Sequence, residues 1–195
     1  MKLFYGAASP YSRKVRVVAH ELGVPLELVA VNAMAWDTAL GNANPINRVP
    51  TLLRDDGLAL FDSPVICEYL DTSFGPLLLP ASGEARWRAL LAQALGDGLM
   101  DAAVPRRHET LRPGAQQSPE RLRLYRRSID QILDRLEHDA DARANLDLGA
   151  ISIACGLAYL DFRFPDDRWG KRRPALQEWF DDFSKRQSMA ATEFA

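Results

Sequence analysis

The segment Arg48–Pro64, RVPTLLRDDGLALFDSP, joins two short apolar runs to a turn and a helix start. Pro50–Arg54 and Leu58–Phe61 flank Asp55-Asp56-Gly57, and a glycine closing such a tripeptide between apolar runs is a strong hairpin signal. From Ser63 to about Phe74 the apolar period changes to that of a helix, with Val65, Ile66, Tyr69 and Leu70 on one stripe beside Glu68 and Asp71. The segment therefore reads β-β-α.

Upstream, a short apolar run at Met1–Tyr5 precedes a helical stretch over Pro10–Leu22 and a strand-like run at Leu26–Val31. Gly23-Val24-Pro25 ends the helix, since glycine suits a helix C-terminus and proline cannot continue it. So short a β-α-β link predicts a parallel strand pair with a right-handed crossover. An asparagine-rich loop, Gly41–Asn47, connects the two halves, and an α/β unit over residues 1–80 closes near Pro80.

Beyond Gly83 the pattern is helical throughout: Glu84–Arg112, Ser118–His138, Asp147–Phe164 and Pro174–Lys185, with turn residues at Pro113-Gly114, Asp139–Asn145 and Pro165–Gly170. Residues 84–195 are predicted to form an all-α domain. Its centre is the stretch Ala150–Leu160, apolar nearly all round as befits a helix enclosed by neighbours. Arg121, Arg123, Arg126 and Arg127 share their helix with Glu120 and Asp130 and read as a solvated face.

Composition narrows the function classes. With 47% hydrophobic and 26% charged residues, the 195-residue chain has material for a sizeable core. A net charge of −2 gives no electrostatic footprint for nucleic acid or an anionic membrane. There is neither a membrane-spanning apolar run nor the apolar core of a signal peptide, so a cytoplasmic protein is expected. Cys67 and Cys155 are far apart in apolar surroundings and read as inert thiols; His20, His108 and His138 show no metal-ligand spacing, and no metal is expected.

The chemistry concentrates in the first unit. Ser9-Pro10 follows the first strand, with Ser9 placed to cap the helix and Pro10 at its first position; Ser63-Pro64 repeats the arrangement at the third helix. Each Ser-Pro alone is an ordinary helix start. Together they offer two sets of backbone N–H groups at positive helix ends, suited to a small ligand carrying a carboxylate and a thiolate. Arg48-Val49-Pro50-Thr51 adds a strand-leading proline, a candidate cis proline that would leave the Val49 backbone open to a peptide-like ligand.

These elements resemble the glutathione S-transferase family, and the resemblance covers the whole chain: Ser9-Pro10-Tyr11-Ser12 after the first strand, Val49-Pro50 before the third, Asp62-Ser63 at the next helix start, then an all-α domain. Ser9-Pro10-Tyr11-Ser12 also looks like the Cys-Pro-Tyr-Cys site of glutaredoxins with both cysteines replaced by serine, which removes the disulfide chemistry. The resemblance implies an α/β thioredoxin-like N-terminal domain that binds glutathione and a helical domain that shapes the second-substrate pocket. By the same resemblance Ser9 bonds the glutathione sulfur, Val49 pairs its backbone with the cysteinyl portion, Asp62 with Ser63 holds the γ-glutamyl end, and Arg48 and Pro50 are further glutathione-binding residues. A thiol of pKa near 8.5 lowered by about two units gains roughly 2.7 kcal/mol as thiolate.

Tyr5, Tyr11 and Ser12 are rivals to Ser9 for the sulfur-facing hydroxyl. Trp36, Met100, Arg106, Arg107, His108 and Tyr159 are candidates for the electrophile pocket, with core packing or a solvated face as their plainer roles. Family members often open the central helix with Ser or Thr and an Asp three residues later; Asp147-Leu148-Gly149-Ala150 keeps a cap and lacks the acidic partner. The implied activity is detoxification, by conjugating glutathione to a small electrophile or reducing a peroxide, as a homodimer; the rival is a non-catalytic adaptor on the same fold.

Overall fold

A computed structural model describes residues 1–32, 38–75 and 78–195, with the Thr38 side chain also left aside. The chain divides into two compact units, Met1–Ala81 together with Arg186–Ala195, and Ser82–Lys185. The boundary near residue 81 falls where the apolar period changes. The segment from Arg186 onward, expected with the helical domain, instead groups with the first unit, because its polar groups bond the first helix.

In the first unit β1 (Lys2–Tyr5), α1 (Pro10–Glu21), β2 (Glu27–Ala30), α2 (Thr38–Ala43), β3 (Thr51–Leu53), β4 (Ala59–Leu60) and α3 (Ser63–Phe74) follow in order. The sheet runs β2-β1-β3-β4, with β1 parallel to β2 and antiparallel to β3, and β3 antiparallel to β4. Leu3, Val15, Val18, Leu52, Ile66 and Leu70 are wholly buried and join the sheet to α1 and α3. The α1 helix ends as expected: Gly23 takes φ 66°, its N–H bonds His20, and the Val24 N–H reaches back to Ala19. Gly57 closes the hairpin at φ 88°, where the Arg54 amide bonds the Leu58 carbonyl at 2.9 Å. The short α2 takes up part of the stretch predicted as loop.

The second unit holds α4 (Gly83–Thr110), α5 (Pro119–His138), α6 (Leu148–Arg163) and α7 (Pro174–Phe183), joined at the predicted breaks by one 3-10 turn in each of the first two links and two in the third. Every residue of α6 from Leu148 to Leu160 is buried. Gly96 of α4 lets the backbones of α4 and α6 approach closely, since a Cβ there would lie 2.4 Å from the Ile153 nitrogen. A short α8 (Gln187–Ala190) belongs to the first unit.

Asp147 caps α6, its Oδ1 accepting the Ala150 N–H at 2.8 Å. Burial raises the Asp147 carboxyl above the usual carboxylate range, against the capping N–H groups of Ala150 and Gly149, which favour its charged form. We expect Asp147→Ala to cost about 1 kcal/mol and Asp147→Asn far less. Urea midpoints measure both, and an unchanged midpoint in the alanine variant would refute the cap.

Candidate functional site

Strand register brings the predicted elements together. Phe4 pairs antiparallel with Thr51, so the end of β1 lies beside the beginning of β3. Leu52 pairs antiparallel with Leu60, so the end of β4 lies at that same edge. The turn into α1, the proline before β3 and the turn into α3 therefore share one end of the sheet. The sequence spaces Ser9, Pro50 and Ser63 tens of residues apart, and three strands suffice to assemble them.

At the first position Ser9 is the N-cap of α1, with φ −85° and ψ 121°; its Oγ accepts the Ser12 N–H at 3.2 Å. That contact uses the oxygen as acceptor and leaves the O–H to donate. Among the described residues it has no acceptor. Ser9 is half-buried, accessible enough to meet a ligand at the positive end of a twelve-residue helix.

The rival hydroxyls are placed differently. Ser12 is wholly buried and its Oγ accepts the Gly6 N–H at 3.3 Å, which ties the β1–α1 turn together. Tyr5 is half-buried with the Arg16 guanidinium 5.3 Å from its ring centre. Tyr11 is half-buried on the first turn of α1. Ser9 alone combines the cap position with a hydroxyl left to donate.

At the second position the Val49–Pro50 peptide is cis, and among the described residues neither the Val49 N–H nor its carbonyl has a hydrogen-bond partner. Asn44, 1% exposed, organises this loop: its Nδ2 donates to the Arg48 carbonyl at 3.1 Å and to Thr51 Oγ1 at 2.9 Å. Its Oδ1 accepts the Ile46 N–H at 2.9 Å, and Thr51 Oγ1 adds a bond to the Arg48 carbonyl at 2.9 Å. Asn47 takes φ 51°, a conformation asparagine tolerates better than most residues. Sequence reasoning passed over Asn44, although Asn44-Pro45 is a turn-initiating pair that could have marked it. The Arg48 side chain is exposed.

At the third position the helix spans Ser63–Phe74 as predicted, but its cap lies one residue before the expected Ser63. Asp62, not Ser63, is the N-cap of α3, because Ser63 and Pro64 already have helical geometry; the Phe61–Asp62 peptide is cis. The exposed Asp62 carboxylate makes no capping bond. The Ser63 and Val65 N–H groups thus remain without partners among the described residues, beside the nearly buried Ser63 hydroxyl. An uncapped helix start of this kind suits an anionic group.

The remaining candidates have other occupations or lie elsewhere. Trp36 is outside the described residues. Met100 is wholly buried core, and Tyr159 is buried in edge-on contact with Phe162. Arg106 pairs with Asp167, which also takes Arg126 at 2.8 Å, and lies 3.9 Å from the Phe164 ring centre. Arg107 is half-buried and His108 exposed. Arg121, Arg123, Arg126 and Arg127 are all exposed, as their solvated reading implies. Cys67 and Cys155 are buried and form no disulfide. Among the described residues no cluster of His, Cys, Asp and Glu could hold a metal, and no helix is long and apolar enough to cross a membrane.

Comparison with known proteins agrees with this architecture. Residues 8–73 match the model of the glutathione S-transferase N-terminal domain. The uncharacterized GST-like protein YibF of Escherichia coli is 35% identical, over 99% of this chain and 98% of its own. A glutathione transferase family member from Pseudomonas fluorescens Pf-5, solved with bound glutathione, superposes with a TM-score of 0.93 at 42% identity, covering 100% of this chain and 98% of that one. A stringent starvation protein A homologue of Coxiella burnetii is 42% identical over 47% of this chain and 44% of its own length. The chain belongs to the glutathione S-transferase family.

Proposed function

We propose that the protein binds glutathione at the three-element edge of its sheet, holds the sulfur as thiolate beside Ser9, and conjugates it to a small electrophile. The observation that carries this reading is the convergence of a donating serine hydroxyl, an open Val49 backbone and an uncapped helix start at one end of one sheet. Ser9 donates to the sulfur and α1 adds its positive end; the Val49 amide and carbonyl pair with the cysteinyl backbone. Arg48 and Pro50 flank that contact, and the Ser63 and Val65 N–H groups with the Ser63 hydroxyl receive the γ-glutamyl carboxylate while Asp62 meets its ammonium group. In conjugation the thiolate forms an S–C bond and the electrophile releases its leaving group, or takes up a proton where it has none. A peroxide is the alternative electrophile. No metal takes part, and the setting is a cytoplasmic homodimer in detoxification.

Retention on immobilised glutathione, with release by free glutathione, tests binding. Turnover of a model aromatic halide tests the chemistry. Loss of one charge-assisted hydrogen bond to the thiolate should make Ser9→Ala about thirtyfold slower at neutral pH. Full turnover in that variant would exclude Ser9 as the donor and pass the role to Tyr5 or Tyr11. A second reading is a non-catalytic adaptor that binds a protein through the same fold. Retention on glutathione without turnover of any electrophile in a broad panel would select it.

A further inference from the structure

The segment Arg186–Ala195 lies along α1, the helix that Ser9 caps, and its contacts are spread over α1 from Glu21 to Arg13. Near the far end of α1, Glu21 receives the Nε and a terminal nitrogen of Arg186, both at 2.8 Å, and the Ser188 hydroxyl. Arg186 above all, then Ser188, holds the Glu21 carboxyl below the usual carboxylate range against the opposing effect of burial. Further toward Ser9, Arg16 donates to the Ala191 carbonyl at 3.4 Å. One turn from Ser9, Arg13 donates to the Met189 carbonyl at 3.1 Å, and its guanidinium lies 4.6 Å from the centre of the Phe194 ring. Ser188, Met189 and Thr192 are at most 4% exposed, so the segment is seated and not merely adjacent.

Arg13 stands four residues after Ser9, and its own N–H bonds the Ser9 carbonyl at 3.0 Å. The residue that anchors the segment is therefore bonded directly to the cap. We infer that Arg186–Ala195 is a strap that fixes the first turn of α1, and that Arg13 is the positioning residue through which it orients the Ser9 hydroxyl. This rests on the reading of Ser9 as the donor to glutathione. Without the strap, the first turn frays and its cap disperses among rotamers, as expected of helix ends that lack tertiary support.

The test uses the full chain with Arg13→Gln and Arg13→Lys. Hydrogen exchange at the Ser12 and Arg13 amides, without ligand, reads the first turn directly. Ultraviolet absorbance of the thiolate in bound glutathione at neutral pH reads the sulfur. For Arg13→Gln we expect exchange about tenfold faster at both amides, the loss of one charge-assisted bond, and roughly half the thiolate absorbance. Arg13→Lys, which keeps a donor and a cation for Met189 and Phe194, should restore most of both. A lower melting midpoint in Arg13→Gln with exchange and thiolate absorbance unchanged would make the strap a stability element only and overturn the proposal. Absence of bound glutathione in the unmodified protein would instead remove the glutathione reading. Exchange alone then decides the strap, with acceleration supporting it and none overturning it.

Discussion

Replacing Arg173 with methionine should destabilise the helical unit by about 3 kcal/mol. Arg173 precedes α7 and is 2% exposed. Its Nε bonds Asp134 Oδ1 at 2.8 Å, one terminal nitrogen bonds the Trp169 carbonyl at 3.2 Å, and the other bonds the Asp130 carbonyl at 3.2 Å and Oδ1 at 2.9 Å. Methionine fills similar space and donates nothing. The Asp130 and Asp134 side chains are 39% and 64% exposed and can rehydrate, which keeps the cost below that of stranding two buried charges. The carbonyls that face the buried guanidinium lose their donor outright. Arg173→Lys keeps the charge but not the fork, and should fall about midway. Urea unfolding followed by fluorescence checks this, since Trp87, Trp169 and Trp179 belong to the same unit. A methionine variant as stable as the parent would show that the network contributes specificity at no net gain in stability.

The second large effect concerns two glycines of α4 that a propensity argument treats alike. In a helix interior, alanine is favoured over glycine by about 1 kcal/mol. At Gly98 an added Cβ would meet only Ile132 Cδ1 at 3.6 Å, an ordinary contact, so Gly98→Ala should stabilise by up to about that amount. At Gly96 the added atom would lie 2.4 Å from the Ile153 nitrogen and the Ser152 carbonyl carbon, both backbone. Neither can rotate away, so the helices must separate. Gly96→Ala should therefore destabilise by about 3 kcal/mol despite its better propensity. Opposite shifts of the two urea midpoints are expected; shifts of the same sign would show that α4 and α6 are not in this register.

Gly149 and Gly156 of α6 report the same contact from the other side, where an added Cβ would lie 2.5 Å from Ala92 Cβ and 3.0 Å from Leu99 Cδ2. The sequence shows α6 as apolar all round and so names the buried helix, yet an apolar surface does not reveal where its neighbour's backbone crosses. Only the docked pair distinguishes Gly96 from Gly98.

Much of the candidate site was legible because its parts are local. Ser9-Pro10 reads as a helix start since a cap and a proline act within one turn. Asp55-Asp56-Gly57 reads as a hairpin because glycine alone takes φ 88° without strain. The cap of the third element was read one residue late: aspartate and serine cap about equally well by propensity, so the sequence did not choose between Asp62 and Ser63, and the geometry gives the cap to Asp62 and leaves its side chain unbonded.

The sequence by itself determined the order of elements, the change of architecture after the first eighty residues and the three motifs that meet at the sheet edge. These depend on periodicity and on interactions spanning a turn or two, which a linear string records. Tertiary structure alone decided the bond network around Asn44, the guanidinium fork of Arg173 and the seating of Arg186–Ala195 on α1. Glu21 and Arg186 are 165 positions apart, and a pairing of single polar groups across that distance has no period and no local propensity. Its existence follows only once packing has brought the two together and shielded Glu21 from water, which makes that carboxylate costly to leave unmatched.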